Sequence, residues 1–490
     1  MSPASHTPAG SLRTRAVRGT AAAFASQSLK FLLNFGVAII LARLVSPEDF
    51  GLFGIAFAVT GLLEFAKTGG MVVPVIQSES LTTDQLNALF WFNSALGLVV
   101  TLLAFAVAPL VGYFYSDPRL VPVIWVLALV FFSGGVSTQH YALLRRQMRF
   151  TALALCEVTA LAVASCVAIV TAMRGAEYWS LVYFQLALAV VQAVLVTLAS
   201  GWVPAWPKQW AAIGSLIRFG GIMMAFDIIA YFNFKVDNLI VAWFLGPTAL
   251  GFYDKAYQLL MLPVTQISTP ISGVVHSTLS RLQREPDRYR TYLSRALLLS
   301  TALALPFTTF LFGNAHILIG QLFGPQWLPS VPIFRALAPA AFLMIVTTCV
   351  GWIFLSLGRA ARQLRWAMFA TTVTVAAFFV GVQWGVLGVA FALSASRAAL
   401  FLPTLMYTCA NTPVAWTDIL RIASRPAFAS LVALGSSVAM NAMLPVNAWS
   451  LPRNATVFAA TYLACWLIMP EGRVLLRENL LFTRWLYRNP

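Results

Sequence analysis

The sequence predicts an all-α polytopic membrane protein of about 14 transmembrane helices, with no room for a large soluble domain. Three observations carry that reading. Apolar runs of about 20 residues, each long enough to cross a bilayer as a helix, recur from end to end. Only 10% of the 490 residues are charged and 60% are hydrophobic, whereas soluble domains carry about 25% charged residues. The basic residues are unevenly divided between the two sets of alternate connections, as the positive-inside rule demands. The runs are continuous rather than alternating, which excludes a transmembrane β-barrel.

The first run, 19–43, follows Arg13, Arg15 and Arg18. It has the outline of a signal peptide, but it is long and contains Gln27, Lys30 and Asn34, so it reads as a retained span. Further runs at 50–73, 87–114, 120–143, 151–172 and 178–200 complete a first lobe, 19–200. A cytoplasmic linker, 201–215, leads to a second lobe, 216–410. Its spans are 216–245, 249–275, 292–313, 332–357, 365–382 and 386–408. The break near 382–386 has the weakest signal, because GVQWGVLG is barely polar. Spans 426–444 and 454–470 fill the segment 411–470. With residues 1–18 cytoplasmic, inner connections hold twenty-two of the 32 Lys and Arg; outer ones hold only Arg43, Arg119, Arg174 and Arg453. The net charge of +16 therefore reports orientation and excludes a nucleic-acid partner. Residues 471–490 alternate Leu and Trp with Arg, and are expected to lie on the cytoplasmic leaflet as an amphipathic helix. The five cysteines fall in or beside apolar runs with no CxxC pair, so neither a disulfide framework nor a metal site is expected.

A repeat runs through the chain. ARLVSPEDFGLFGIA (42–56) and AWFLGPTALGFYDKA (242–256) align at an offset of 200, matching Ala42 with Ala242, Pro47 with Pro247, Gly51 with Gly251 and Ala56 with Ala256. Each Pro-x-x-x-Gly falls on the outer turn between the first two spans of a lobe. Six spans per copy make the repeats parallel, an arrangement found in transporters with substrate held between the halves.

Charges inside spans need protein or water around them, since each costs about 2.5–3.5 kcal/mol at a helix centre on insertion scales. The basic ones are Lys30, Lys67, Lys235, Lys255, Arg335 and Arg397; the acidic ones are Glu64, Asp227, Asp237 and Asp254. At 100° per residue, Asp227, Tyr231, Lys235 and Asn238 share an arc of about 80°. A polar face of this kind suits a water-filled cavity. The excess of cations suits an anionic ligand such as a phosphate or diphosphate, while the acids are candidates for H+ or Na+ coupling. Internal ion pairing is the structural alternative for any one of these residues. Pro263, Pro270 and Pro339 lie inside spans and are expected to bend them.

VDNLIVAWFLGPTALGFYDKAYQLL (236–260) resembles the hallmark segment of Wzx-type exporters in the multidrug/oligosaccharidyl-lipid/polysaccharide exporter superfamily. LARLVSPEDFGLFGIA (41–56), LTTDQLNALFWFN (81–93) and ALLRRQMRF (142–150) are similar to other segments of that family, most of all its colanic-acid type. The resemblance implies a flippase that moves undecaprenyl-diphosphate-linked oligosaccharide across the bacterial cytoplasmic membrane by alternating access. The six basic span residues would line its cavity, and both termini would be cytoplasmic. Membrane lipids and other polysaccharide assembly proteins are the implied partners, with no cofactor beyond a coupling ion or the membrane potential. The rival within the fold is a cation-coupled multidrug antiporter, which needs an acidic cavity. A membrane polymerase or glycosyltransferase would need large catalytic loops, and every connection here is short.

Overall fold

The computed structural model describes residues 9–68, 82–208, 210–444 and 449–469, with side chains described from residue 26 onward apart from 65–68 and most of 211–234. The expected amphipathic tail, 471–490, lies outside the described residues. Among those described there is no strand: the chain is a succession of long helices. Ten helices or helix pairs are long and apolar enough to cross a membrane by length and composition. The protein is a multi-pass membrane protein.

The first six helices are α1 (Ala9–Leu44), α2 (Pro47–Thr68), α3 (Thr83–Phe114), α4 (Leu120–Arg146), α5 (Phe150–Met173) and α6 (Trp179–Ser200). Their ends follow local chemistry. Pro47 opens α2, where its missing N–H costs nothing. Just before it, the Ser46 hydroxyl accepts the Asp49 N–H at 3.1 Å. Thr82 and Gln85 exchange side-chain and backbone hydrogen bonds in a capping box that starts α3 a turn earlier than expected. Gly201 ends α6 in the left-handed region, φ +62°.

The second half contains α7 (Gly214–Pro263), α8 (Thr269–Arg281), α9 (Pro286–Gly313), α10 (Ala315–Leu322), α11 (Ser330–Ser356), α12 (Ala360–Gly381), α13 (Gly385–Cys409), α14 (Trp416–Met443) and α15 (Ser450–Ile468). Gly246, at φ +81°, breaks α7 into two arms that correspond to two of the expected spans. Between Pro263 and Pro270 the helix widens into a π-turn, Val264–Ser268, which is the expected bend. A 3-10 turn, Val382–Trp384, supplies the weakly signalled break between α12 and α13.

Contacts divide the chain into two compact units, 1–251 and 252–490. In the first, α3 packs along α4, α1 along α5, and α6 along α4 and α5. Val37 and Leu41 of α1, with Val45 just after it, bury against Ala168, Ala172 and Leu181. In the second, α11 packs along α13, α9 along α14, and α14 along α15. Tyr289, Trp352, Phe354 and Ile419 anchor its core. The buried Tyr289 and Ser356 hydroxyls are 2.7 Å apart, and Trp352 Nε1 donates to Ser272 Oγ at 2.8 Å.

The repeated turns meet. A Cβ added to Gly51 would collide with the Pro247 carbonyl, and one added to Gly251 with the Pro47 carbonyl; all four residues lie in the first unit. Leu250, fully buried, closes on Gly54 beside them. The glycine of each turn thus admits the proline carbonyl of the other, a reciprocity that matches the offset of 200. Only residues without side chains allow so close an approach.

Candidate functional site

The structure sorts the charged span residues into different environments. Lys30, with no acid nearby in sequence, finds one on α5: its Nζ lies 2.6 Å from Glu157 Oε2, and Tyr141 Oη donates to Glu157 Oε1 at 3.2 Å. That pair is partly buried in the first unit and leaves Lys30 neutralised. Lys255 is buried in the second unit between the rings of Phe323 and Trp327, 5.7 Å from each centroid. Such a contact stabilises a desolvated ammonium by about 2 kcal/mol. Lys235, Glu64, Asp237 and Asp254 are each engaged in interactions within the chain. Asp237 is buried and its Oδ1 accepts the Asn238 N–H at 2.9 Å. The side chains of Lys67 and Asp227 lie outside the described residues.

Arg335 and Arg397 are different. Neither has a hydrogen-bond or ion-pair partner among the described residues; Arg335 is exposed, whereas Arg397 is half-buried with its Nε closed off from solvent and without an acceptor. They lie on α11 and α13, which pack together in the second unit. Ser394 Oγ donates to the Ala336 carbonyl at 2.5 Å, which places Arg335 and Arg397 each within a helical turn of one contact point. The sequence around them is almost free of acid. Between Asp287 and Glu471 the only Asp or Glu is Asp418, and it lies 2.7 Å from Arg290 Nη2. The elements that pack on α11 and α13 carry only two acids, Asp418, which faces Arg290, and Asp287, in the first turn of α9. Sequence inspection nominated both arginines but missed this long acid-free stretch, which separates them from the paired lysines.

A second polar group escaped notice altogether. Asn93 and Gln139, both fully buried, and Ser94, nearly so, have side-chain nitrogens and oxygens without hydrogen-bond partners, on α3 and α4. Asn and Gln inside apolar runs were the available signal. Among the described residues, no three His, Cys, Asp or Glu side chains gather as a metal site.

The family model described as polysaccharide biosynthesis protein matches residues 40–332. The chain belongs to that polysaccharide biosynthesis protein family. Within its relatives, the family member is 24% identical over 389 residues to the lipopolysaccharide biosynthesis protein WzxC of Escherichia coli K12, covering 77% of this chain and 78% of WzxC. It is 24% identical over 361 residues to the succinoglycan biosynthesis transport protein ExoT of Rhizobium meliloti, covering 73% of this chain and 72% of ExoT. Its fold is similar to that of the lipid II flippase MurJ in an inward closed conformation, with a TM-score of 0.73 at 15% identity over 92% of this chain and 98% of MurJ. An inward-facing MATE multidrug transporter gives a TM-score of 0.61 at 15% identity over 78% of this chain and 95% of that one. The expected exporter-superfamily fold is thus the fold of this family member.

Proposed function

We propose that this protein is a flippase that carries undecaprenyl-diphosphate-linked oligosaccharide across the bacterial cytoplasmic membrane, with its termini in the cytoplasm. It is a transporter, not an enzyme. The observation that carries the reading is the pair Arg335 and Arg397: an exposed and a half-buried cation on neighbouring helices, without partners among the described residues, in a stretch whose one acid faces Arg290. A desolvated guanidinium without a counter-charge is strongly unfavourable, and a diphosphate brings its own negative charge and accepts paired N–H bonds. Similarity to WzxC, a lipopolysaccharide biosynthesis protein, and to ExoT, a succinoglycan biosynthesis transport protein, supports the same substrate class.

Of the six basic residues first nominated, Arg335 and Arg397 hold the diphosphate. Lys30 and Lys255 keep the fold and local charge balance. Alternating access delivers the glycan outward, with coupling through the membrane potential or through H+ or Na+ at Glu64, Asp227, Asp237 or Asp254. The multidrug-antiporter alternative lacks a carboxylate on α11–α13 to meet a cationic drug.

The test is export in cells deleted for the gene and complemented with Arg335→Met/Arg397→Met at equal protein level. The expected result is loss of surface polysaccharide, with lipid-linked oligosaccharide accumulating on the cytoplasmic leaflet. Wild-type export from the double variant would overturn the assignment.

A further inference from the structure

Arg453 lies in the first turn of α15, the last described helix. That helix has 19 residues, about 28 Å at 1.5 Å per residue, close to the thickness of the hydrocarbon core. A helix of that length set across the bilayer has its first turn at the depth of the lipid phosphates. Trp449, highly exposed at the N-cap, fits the aromatic belt of that boundary.

The surroundings of Arg453 are unusual. Nε and Nη2, the edge of the guanidinium that grips an anion with two parallel bonds, are both enclosed and have no hydrogen-bond partner. Among the described residues, no carboxylate is paired with it. α15 packs on α14 and touches α9 and α10. These elements carry only Asp287, in the first turn of α9 at the end far from Gly313, and Asp418, which is two residues into α14, at the end far from Met443, and is held by Arg290.

The turn itself is firmly placed. Asn454 is fully buried and its Nδ2 donates to Asn314 Oδ1 at 2.7 Å and to Asn441 Oδ1 at 2.6 Å; Asn314 in turn donates to Ser437 Oγ at 3.2 Å. This carboxamide network ties α15 to α14 and to the start of α10. It fixes Arg453 at the boundary without satisfying its charge. A long, partly exposed side chain on a fixed turn can swing its fork to the helix surface.

We propose that Arg453 is a binding site for the phosphate of a bilayer phospholipid, held at the end of α15. The assignment is independent of the transported substrate. A phospholipid is the one anion present at this depth at all times, and phosphate geometry matches the paired N–H fork. Anionic headgroups add attraction beyond that of the phosphate.

The experiment uses the full-length protein purified in detergent and stripped of lipid. Thermal unfolding and native mass spectrometry follow added dioleoyl-phosphatidylglycerol, inorganic phosphate or undecaprenyl diphosphate. The wild type is expected to gain several degrees in Tm and one retained lipid with phosphatidylglycerol. Arg453→Met, which removes a buried unpaired charge and should fold, is expected to weaken that binding about tenfold. Arg453→Lys keeps the charge without the fork and should fall between. Arg174→Met, an exposed arginine at the turn after α5, serves as control and should leave binding unchanged. An undiminished phosphatidylglycerol effect in Arg453→Met overturns the proposal. So does an equal Arg453-dependent effect from inorganic phosphate alone, or one confined to undecaprenyl diphosphate.

Discussion

Replacing Gly51 by Ala adds a single methyl group, and its effect follows from the crossing of the two repeated turns. The new Cβ would overlap the Pro247 carbonyl oxygen and carbon and come within 3.0 Å of the Pro247 Cα. These are backbone atoms, so no rotamer change relieves the clash; the turns must separate. Overpacking in tight interiors costs about 1–3 kcal/mol, and a backbone obstacle places this case at the upper end. In a transport cycle that joins and parts these turns, the whole penalty falls on the joined state. About 3 kcal/mol then shifts the equilibrium toward the parted state by roughly 100-fold.

The assay reports opening directly. In a background without the native cysteines, Leu250→Cys is buried beside Gly54 in the joined state. Its labelling by a membrane-impermeant maleimide should be slow alone and at least tenfold faster with Gly51→Ala. Gly251→Ala should act the same way through the Pro47 carbonyl. Gly36→Ala is the control: nothing lies within 4 Å of its added Cβ, and a helical Gly-to-Ala change stabilises by about 0.5–1 kcal/mol. A folded Gly51→Ala protein with unchanged Tm and unchanged Leu250→Cys labelling would refute the reasoning.

Other outcomes follow from single contacts. Lys30→Met or Glu157→Gln alone should destabilise by about 1–2 kcal/mol in thermal unfolding, after allowance for partial exposure. The double variant should recover part of the loss, and a cycle without coupling would remove the pair from the account. Arg359 donates to the Ala410 and Asn411 carbonyls, and Arg362 to the Ala410 and Tyr407 carbonyls, at the end of α13. Arg359→Ala/Arg362→Ala should therefore fray that end and lower stability by about 1–2 kcal/mol, with faster amide exchange at residues 405–410 as the readout. At the turn between α3 and α4, partial burial pushes the Asp117 carboxyl up. Hydrogen bonds from Arg119 and its charge outweigh this and hold Asp117 below its ordinary value of 3.8. The stabilisation is complete above pH 3.8 and is lost as pH falls through the lower folded value. An acid titration of Tm should show a step that Asp117→Asn removes, and a step at neutral pH would contradict the assignment.

Much of the architecture was written in hydropathy and in Pro and Gly. The runs placed the spans; the Pro-x-x-x-Gly turns were legible as turns, but their crossing at Gly51 and Gly251 was not. The barely polar GVQWGVLG did break, at a 3-10 turn. The ends of α3 were less legible, because a capping box can start a helix ahead of its apolar run. The π-turn between Pro263 and Pro270 was legible only as a bend. At the candidate site, residue type nominated the charges but did not pair them. Lys30 meets an acid 127 positions away, and Lys255 meets rings 68 and 72 positions on, at Phe323 and Trp327. Such partners are set by which helices pack together, and periodicity along one helix is silent about that. The acid-free stretch from 288 to 417 was readable by eye, and it best distinguishes Arg335 and Arg397 from the lysines.

The segment after α6 has the composition of a spacer, yet it is sewn to the N-terminal end of α3. Trp91 Nε1 donates to the Ala205 carbonyl at 3.1 Å, the Ala205 N–H to Asn87 Oδ1 at 3.1 Å, and the Lys208 N–H to Asp84 Oδ1 at 2.8 Å. Trp206 stacks toward Trp91 at 5.0 Å, and Trp202 lies against Phe90 and His140. Anyone choosing a place to splice in a fluorescent reporter, or to divide the gene into two co-expressed pieces, would pick residues 203–208 by composition. Doing so would tear out three hydrogen bonds and a tryptophan clasp, and a fusion there should report damage to α3 rather than the traffic of an intact protein.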